Sequence, residues 1–151
     1  MTNTALIGIA GVHYVVSELS RRGLVALPTV KNTAAYDIVA MNPEGTRHAN
    51  IQVKASSKKA GFFPMPIPGK IRVGTADVYV LVRWLQEQRR YQGFLLSGHE
   101  AREAVERELA YQELARKRGT LKVLFPSVDI SKRNAKYAEH WQDAWEAWTL
   151  L

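Results

Sequence analysis

The segment DVYVLVRWL at residues 77–85 constrains the fold more than any other part of the sequence. It is a nearly continuous apolar run rich in valine, and runs of this length and composition are typical of a strand at the centre of a sheet. After the turn QEQRR, the segment YQGFLLS at 91–97 predicts a partner strand. The remaining segments must therefore supply further strands and the helices that cover such a sheet.

Three helices are predicted, and the first two of them flank the strand region in the chain. From Thr4 to Arg22 apolar residues recur at spacings of three and four, which indicates a helix with one buried stripe, and Gly23 is its expected C-cap. Ser97 is the expected N-cap of a second helix over 98–118. Acidic residues in the first turn of this helix and basic residues in its last turn complement the helix dipole.

Three more strands are predicted between residues 24 and 55. The first, 24–30, is interrupted by Pro28, which indicates either a strand at a sheet edge or a strand that ends there. The next two, 34–41 and 48–55, flank the turn NPEGTR and predict an antiparallel hairpin. Residues 56–76 are rich in proline and glycine and predict a long loop, which in a small domain tends to be functional or mobile.

A final helix is expected to begin near Lys132 or Asn134. Trp141, Trp145 and Trp148 would lie on one face of that helix. This spacing favours packing against the sheet or a second subunit over stacking on nucleic-acid bases.

The order of elements predicts a single α/β domain over residues 1–151, with a central mixed β-sheet flanked by helices. The chain is long enough to bury about two-thirds of its unfolded surface. Because it has no cysteine, disulfides, thiolate nucleophiles and Cys-ligated zinc are excluded, and a cytoplasmic location is the expectation. The first residues predict an amphipathic helix rather than a signal peptide, and no apolar run is long enough to span a membrane.

The net charge of +7 favours a polyanionic partner. Residues 1–75 hold nine Lys and Arg against three Asp and Glu, whereas residues 76–151 hold twelve against eleven. The excess of positive charge therefore belongs to the half of the chain that contains Asp37, Gln52 and Lys54.

Asp37 lies in the first strand of the predicted hairpin, and Gln52 and Lys54 lie in the second. Side chains alternate along a strand, so Gln52 and Lys54 share one face and Val53 points into the core. A carboxylate and an amide oxygen are hard ligands suited to Mg²⁺ or Mn²⁺, and a lysine beside them can hold water or a phosphate. This combination is what phosphodiester hydrolysis needs.

Asp37, fourteen intervening residues and then Gln52-Val53-Lys54, all preceded by a helix bearing Glu18, resemble the PD-(D/E)XK nuclease superfamily. The resemblance is to the variant with Gln at the second acidic position, as in restriction endonucleases of the Mrr type, and the leading helix resembles that of Holliday-junction resolvases. It covers about residues 5–97. Tyr36 stands where the motif has proline.

The resemblance implies a restriction endonuclease-like αβββ(α)β core and a metal-dependent nuclease acting on DNA, with Mg²⁺ or Mn²⁺ as cofactor. Asp37 would bind the metal, Gln52 would share it and Lys54 would serve the nucleophile. Glu18 and the Val53 carbonyl would complete the metal site. Family members often dimerise, so a homodimer is a further expectation.

Five residues of the basic region following the motif are candidates for contact with the DNA backbone. They are Ser56, Lys58, Lys59, Lys70 and Arg72. Positive side chains on a loop can follow a phosphate backbone, although such loops are often only solvated.

Other interpretations remain open for these residues. Asp37, Gln52 and Lys54 also fit the solvated face of a half-buried strand, and Glu18 fits a surface charge pair with Arg21 and Arg22. At the level of function, the alternative is a catalytically inactive nuclease fold that binds nucleic acid or serves assembly. A third hypothesis is a basic protein-interaction domain without affinity for nucleic acid.

Overall fold

A computed structural model of the chain describes residues 3–30, 36–57 and 61–148. None of the helices in these ranges is both long enough and apolar enough to cross a membrane. The helices and strands are α1 (Thr4–Arg21), β1 (Val25–Pro28), β2 (Ile38–Met41), β3 (His48–Ser56), β4 (Phe62–Pro64), β5 (Asp77–Leu85), β6 (Arg90–Ser97), α2 (Gly98–Lys117), β7 (Ser127–Asp129) and α3 (Ala135–Trp141), with short 3-10 turns at Pro68–Lys70, Lys132–Asn134 and Trp145–Trp148.

The main sheet has five strands in the order β1-β2-β3-β5-β6. Strands β3 and β5 are parallel and the other neighbours are antiparallel, so the sheet is mixed, as predicted. The predicted hairpin of β2 and β3 is confirmed, and β1, which ends at Pro28, is at an edge of the sheet. This arrangement is the single α/β domain that the order of elements predicts.

Both faces of the sheet are covered. On one face Ile51 and Val53 of β3 belong to a core with Val15 and Leu19 of α1. The helix lies very close to the sheet at Gly11, because a Cβ built there would be 2.6 Å from the Cβ of Ala55. We call this the α1 face.

The opposite face, the α2 face, carries the alternate residues of the same strands. Tyr79 and Leu81 of β5 belong to a core with Ala101 and Val105 of α2. Since paired residues point to the same side of a sheet, Gln52, opposite Tyr79, also belongs to the α2 face.

Residues 61–76, the described main part of the predicted loop, are more structured than the sequence predicts. They include β4, which pairs with β7 in a second, two-stranded sheet, and the 3-10 turn at Pro68–Lys70. Phe63, Met65 and Ile71 are buried in the core of the α2 face. Prolines and glycines conceal these anchors, because Met65 stands between two prolines, Phe63 precedes a proline and Ile71 comes two residues after Gly69.

The final helix begins where the sequence predicts, with Asn134 as its N-cap, but the prediction that its tryptophans share one face is wrong. Helix α3 ends at Trp141, and Asp143 adopts a positive φ of 47°. Trp141 belongs to the core of the α2 face, whereas Trp145 belongs to the core of the α1 face. The chain therefore passes around the β6 side of the sheet between the two residues. The side chain of Trp148 lies outside the described part of the chain.

Candidate active site

Asp37 is fixed by the backbone just before β2 begins. Its amide donates to the carbonyl of Ile51 (2.9 Å), and its own carbonyl accepts from the amide of Thr29 (2.9 Å). These bonds continue the ladders of β2 with its two neighbours by one residue, so Asp37 lies opposite Gln52. The hairpin register therefore determines which residue of β3 the aspartate meets.

The side chain of Asp37 contacts β3 directly. Its Oδ2 accepts one hydrogen bond from Gln52 Nε2 and another from the Val53 amide, each 2.7 Å long. Asp37 and Gln52 are both half-buried. The carboxylate thus accepts a backbone amide of β3 just before β2 begins, and it is tied to the α2 face of the sheet.

Lys54 and the Val53 carbonyl are next to this pair. Lys54 follows Gln52 on the same face of β3, with Cα atoms about 7 Å apart by strand geometry. Within a strand residue the N–H and C=O groups point to the same side, so the Val53 carbonyl is directed to the side of Asp37. Gln52 and Lys54 on one face of β3 and the Val53 carbonyl on its β2 side are therefore neighbours, as the motif predicts.

The available donors fit a hard cation held by few protein ligands. Across residues 3–30, 36–57 and 61–148, no group of three or more His, Asp or Glu side chains could hold a metal ion. One carboxylate, a main-chain carbonyl and the Gln52 amide oxygen remain as donors. The amide presents its nitrogen to Asp37, and a half-turn would present its oxygen instead. Such a set suits Mg²⁺ or Mn²⁺, which keep several waters and substrate oxygens as ligands.

Glu18 is not brought to this cluster. Its carboxylate forms ion pairs with Arg21 (3.2 Å) and Arg22 (2.7 Å) on α1. Helix α1 covers the α1 face, whereas Gln52 belongs to the α2 face. The sheet therefore lies between Glu18 and Gln52. The surface charge pair considered from the sequence is the arrangement that forms.

The predicted DNA contacts have different surroundings. Lys58 and Lys59 lie outside the described residues. Lys70 and Arg72 are exposed in the segment between β4 and β5. Ser56 ends β3 and lines a separate, mainly apolar cavity of about 430 Å³ between the start of α1 and the ends of the strands.

Two tyrosines border the site that sequence reasoning did not include. Tyr36 precedes Asp37 in the chain, and Tyr79 is the partner of Gln52 in β5. Both line a gap of about 10 Å³ shared with Gln52 and Arg72, roughly the space of one water molecule. Tyr79 could not be predicted from the sequence, because no tight turn joins β3 to β5 and nothing local sets the register of these two parallel strands.

Comparison with known proteins supports the architecture. Neither a family model nor a curated protein matches the sequence. Among solved structures, the bacterial homing endonuclease I-Ssp6803I is similar with a TM-score of 0.54 and 16% sequence identity, covering 97% of this chain and 91% of that chain. At this identity the likeness concerns the fold, and it extends over nearly the whole of both chains.

Proposed function

We propose that this protein is a metal-dependent nuclease of the PD-(D/E)XK superfamily that hydrolyses phosphodiester bonds in DNA. The observation that carries the proposal is the contact of Asp37 with Gln52, with Lys54 on the same face of β3. This contact occurs in a fold that the chain shares with a homing endonuclease. The excess of positive charge in residues 1–75 supports a polyanionic substrate.

In the proposed reaction three residues would hold the metal ion, and Lys54 would hold the water or the phosphate. Asp37, the Gln52 amide oxygen and the Val53 carbonyl would hold Mg²⁺ or Mn²⁺. When bound, such an ion lowers the pKa of a coordinated water and neutralises charge on the phosphate. The ammonium group of Lys54 would hold the attacking water or the scissile phosphate, and so stabilise the charge that develops on the phosphate oxygens. Glu18 is left out of this proposal, because its carboxylate pairs with Arg22 on α1.

A catalytically inactive nuclease fold is the second candidate. Two observations favour it: the second acidic position of the motif holds an amide, and the described residues contain no cluster of three acidic or histidine side chains for a metal. Such a protein would bind DNA without hydrolysing it. Homodimer formation remains a prediction for either function.

Cleavage of DNA in the presence of Mn²⁺ tests the proposal. Linear duplex, branched and single-stranded DNA are incubated with the wild-type protein, Asp37→Asn, Lys54→Ala and the control Glu44→Gln, which removes a charge from the exposed β2–β3 turn. Asn is preferred to Ala at position 37 because its side-chain oxygen can still accept from the Val53 amide.

We expect the wild type and Glu44→Gln to cleave at least one of these DNAs, with both site variants slower by about a hundredfold or more. Thermal unfolding at the same temperature for all four proteins excludes loss of fold as the cause. DNA binding without cleavage by the wild type would favour the inactive module. Equal cleavage by Asp37→Asn and wild type would contradict the proposed site.

A further inference from the structure

The segment from Pro68 to Gly74 is held firmly against the body of the protein. Arg102 of α2 donates from Nε to the carbonyl of Pro68 (3.1 Å) and from Nη2 to the carbonyl of Ile71 (2.7 Å). The side chain of Ile71 is only 1% exposed. A basic loop that is fixed before it meets a ligand loses little conformational entropy on binding.

The side chain of Arg72 is oriented by residues that border the proposed active site. Its Nη1 donates to the hydroxyl of Tyr36 (2.6 Å), and its guanidinium carbon lies 4.8 Å from the centre of the Tyr36 ring. The Arg72 amide donates to the hydroxyl of Tyr79 (3.2 Å). Tyr36 is adjacent to Asp37 and Tyr79 is opposite Gln52, so Arg72 is fixed beside the Asp37–Gln52 pair.

Among the described residues, the guanidinium donates a hydrogen bond to the phenol oxygen of Tyr36 and forms no ion pair with a carboxylate. The side chain of Arg72 is exposed, so its positive charge faces solvent. A guanidinium has five N–H donors in a planar fork, of which the contact with Tyr36 uses only part. The remaining donors have the geometry that binds two oxygens of a phosphate.

We propose that Arg72 binds a backbone phosphate of DNA next to the phosphate at the Asp37–Gln52 pair, and that Tyr36 is the positioning residue for its guanidinium. The proposal rests on the proposed nuclease function and identifies a second phosphate position for the same substrate. Tyr36 occupies the motif position of proline, directly before the proposed metal ligand Asp37. It would thereby couple phosphate binding at Arg72 to the position of Asp37.

Two measurements separate this role from a structural one. The first is the affinity for a short DNA duplex in EDTA, measured by fluorescence anisotropy over a series of salt concentrations. The second is the Mn²⁺-dependent cleavage rate, resolved into kcat and KM. The variants are Arg72→Ala, Tyr36→Phe and Arg47→Ala. The last is a matched control that removes an exposed positive charge from the β2–β3 turn.

We expect Arg72→Ala to weaken duplex binding about tenfold and to reduce the slope of log K against log salt by about 0.9. Tyr36→Phe keeps the ring and the charge, so it should preserve the slope but lower kcat severalfold with a smaller change in KM. Arg47→Ala should resemble the wild type. All variants should have the unfolding temperature of the wild type within a few degrees.

Two results would overturn the proposal: an Arg72→Ala protein indistinguishable from Arg47→Ala in binding, or a wild type that binds no duplex at low salt. If Tyr36→Phe matches the wild type in kcat and KM, the positioning role of Tyr36 is excluded. Because the binding assay contains no metal, a wild type that binds DNA through Arg72 without cleaving it would overturn the nuclease function and leave this phosphate contact in place.

Discussion

Asp37 and Gln52 are joined by a hydrogen bond that a metal ion at this position would have to rearrange. The amide nitrogen of Gln52 now donates to the carboxylate, 2.7 Å away. For Gln52 to hold Mg²⁺, its amide oxygen would have to take the place of the nitrogen, because Mg²⁺ takes oxygen ligands. The pair carries one negative charge where two carboxylates would carry two, so it would bind a metal ion more weakly than a pair of carboxylates.

Gln52→Glu tests this balance. Without metal, the variant sets a second carboxylate against Asp37, and the repulsion should lower the free energy of unfolding by about 1 kcal/mol or more. With Mn²⁺ the two charges should bind the ion more tightly than the wild-type site does. Thermal unfolding in EDTA and in Mn²⁺ measures both effects: we expect a lower Tm than wild type in EDTA and a larger increase on addition of Mn²⁺.

Gln52→Leu is the companion variant, since it keeps approximate size and removes the oxygen. It should lose most of the cleavage activity and show little Mn²⁺-dependent change in Tm. A Leu variant as active as the wild type would show that Gln52 is not a ligand.

Single residues differ in how far sequence can predict them. The contact between Asp37 and Gln52 follows from hairpin register, which a local turn sets, so the motif predicts it. The interaction of Tyr36 with Arg72 joins residues 36 positions apart through a loop without periodicity, and no local rule indicates it. For Glu18, helical spacing predicts the position of the residue along α1, but it does not predict which face of the sheet α1 covers.

At the scale of secondary-structure elements, the N-terminus of α2 holds the Arg72 loop in place. A Cβ added to Gly98 would lie 2.0 Å from the carbonyl oxygen of Arg72 and 2.8 Å from the Cα of Val73. Backbone atoms of the loop cannot give way without moving Arg72. The glycine is thus required by close packing between a helix and a loop.

Gly98→Ala should therefore destabilise the protein by about 1–3 kcal/mol, as overpacked sites do. Gly69→Ala is the control, because Gly69 is on the same loop and a Cβ added there meets no other part of the protein within 4 Å. Urea unfolding at neutral pH gives both values, and we expect the control to differ from wild type by less than about 0.5 kcal/mol. Equal effects of the two substitutions would show that the contact between α2 and the loop is not tight.

Elements with a clear period were predicted well, and those without one were not. Helix α1, the β2–β3 hairpin and the Ser97 N-cap of α2 all have local signals that tertiary packing agrees with. The three tryptophans had the spacing of a helix face, yet the chain turns at Asp143 and Trp145 packs on the other side of the sheet. Burial of two large rings in two cores outweighs the continuation of a short helix.

At the scale of the whole molecule, Trp145 and Tyr14 close the core of the α1 face at the β6 side. The Tyr14 ring lies 5.0 Å from that of Tyr91 and 6.0 Å from that of Trp145. The pKa of the Tyr14 hydroxyl is raised to about 12, chiefly by burial and to a smaller extent by the carboxylates of Asp143 and Glu18.

The stability of the whole domain should therefore fall at high pH. Below pH 10 the Tyr14 hydroxyl is protonated in both the folded and the unfolded chain, so its contribution is fully present. As pH rises from 10 toward 12, only the unfolded chain releases the proton, and this favours unfolding. Urea unfolding at neutral pH and at pH 11 should show the wild type losing more stability than Tyr14→Phe, which has no hydroxyl to ionise. An equal loss in the two proteins would contradict the raised pKa.

The central claim, a divalent-ion site at Asp37 and Gln52, is tested most directly by titrating Mn²⁺ into the protein and measuring the heat of binding. The wild type and the turn variant Glu44→Gln should each bind one ion, and Asp37→Asn, which retains the hydrogen bond from Val53, should bind none at the same concentrations. Unchanged binding by Asp37→Asn, or no binding by the wild type, would contradict the account.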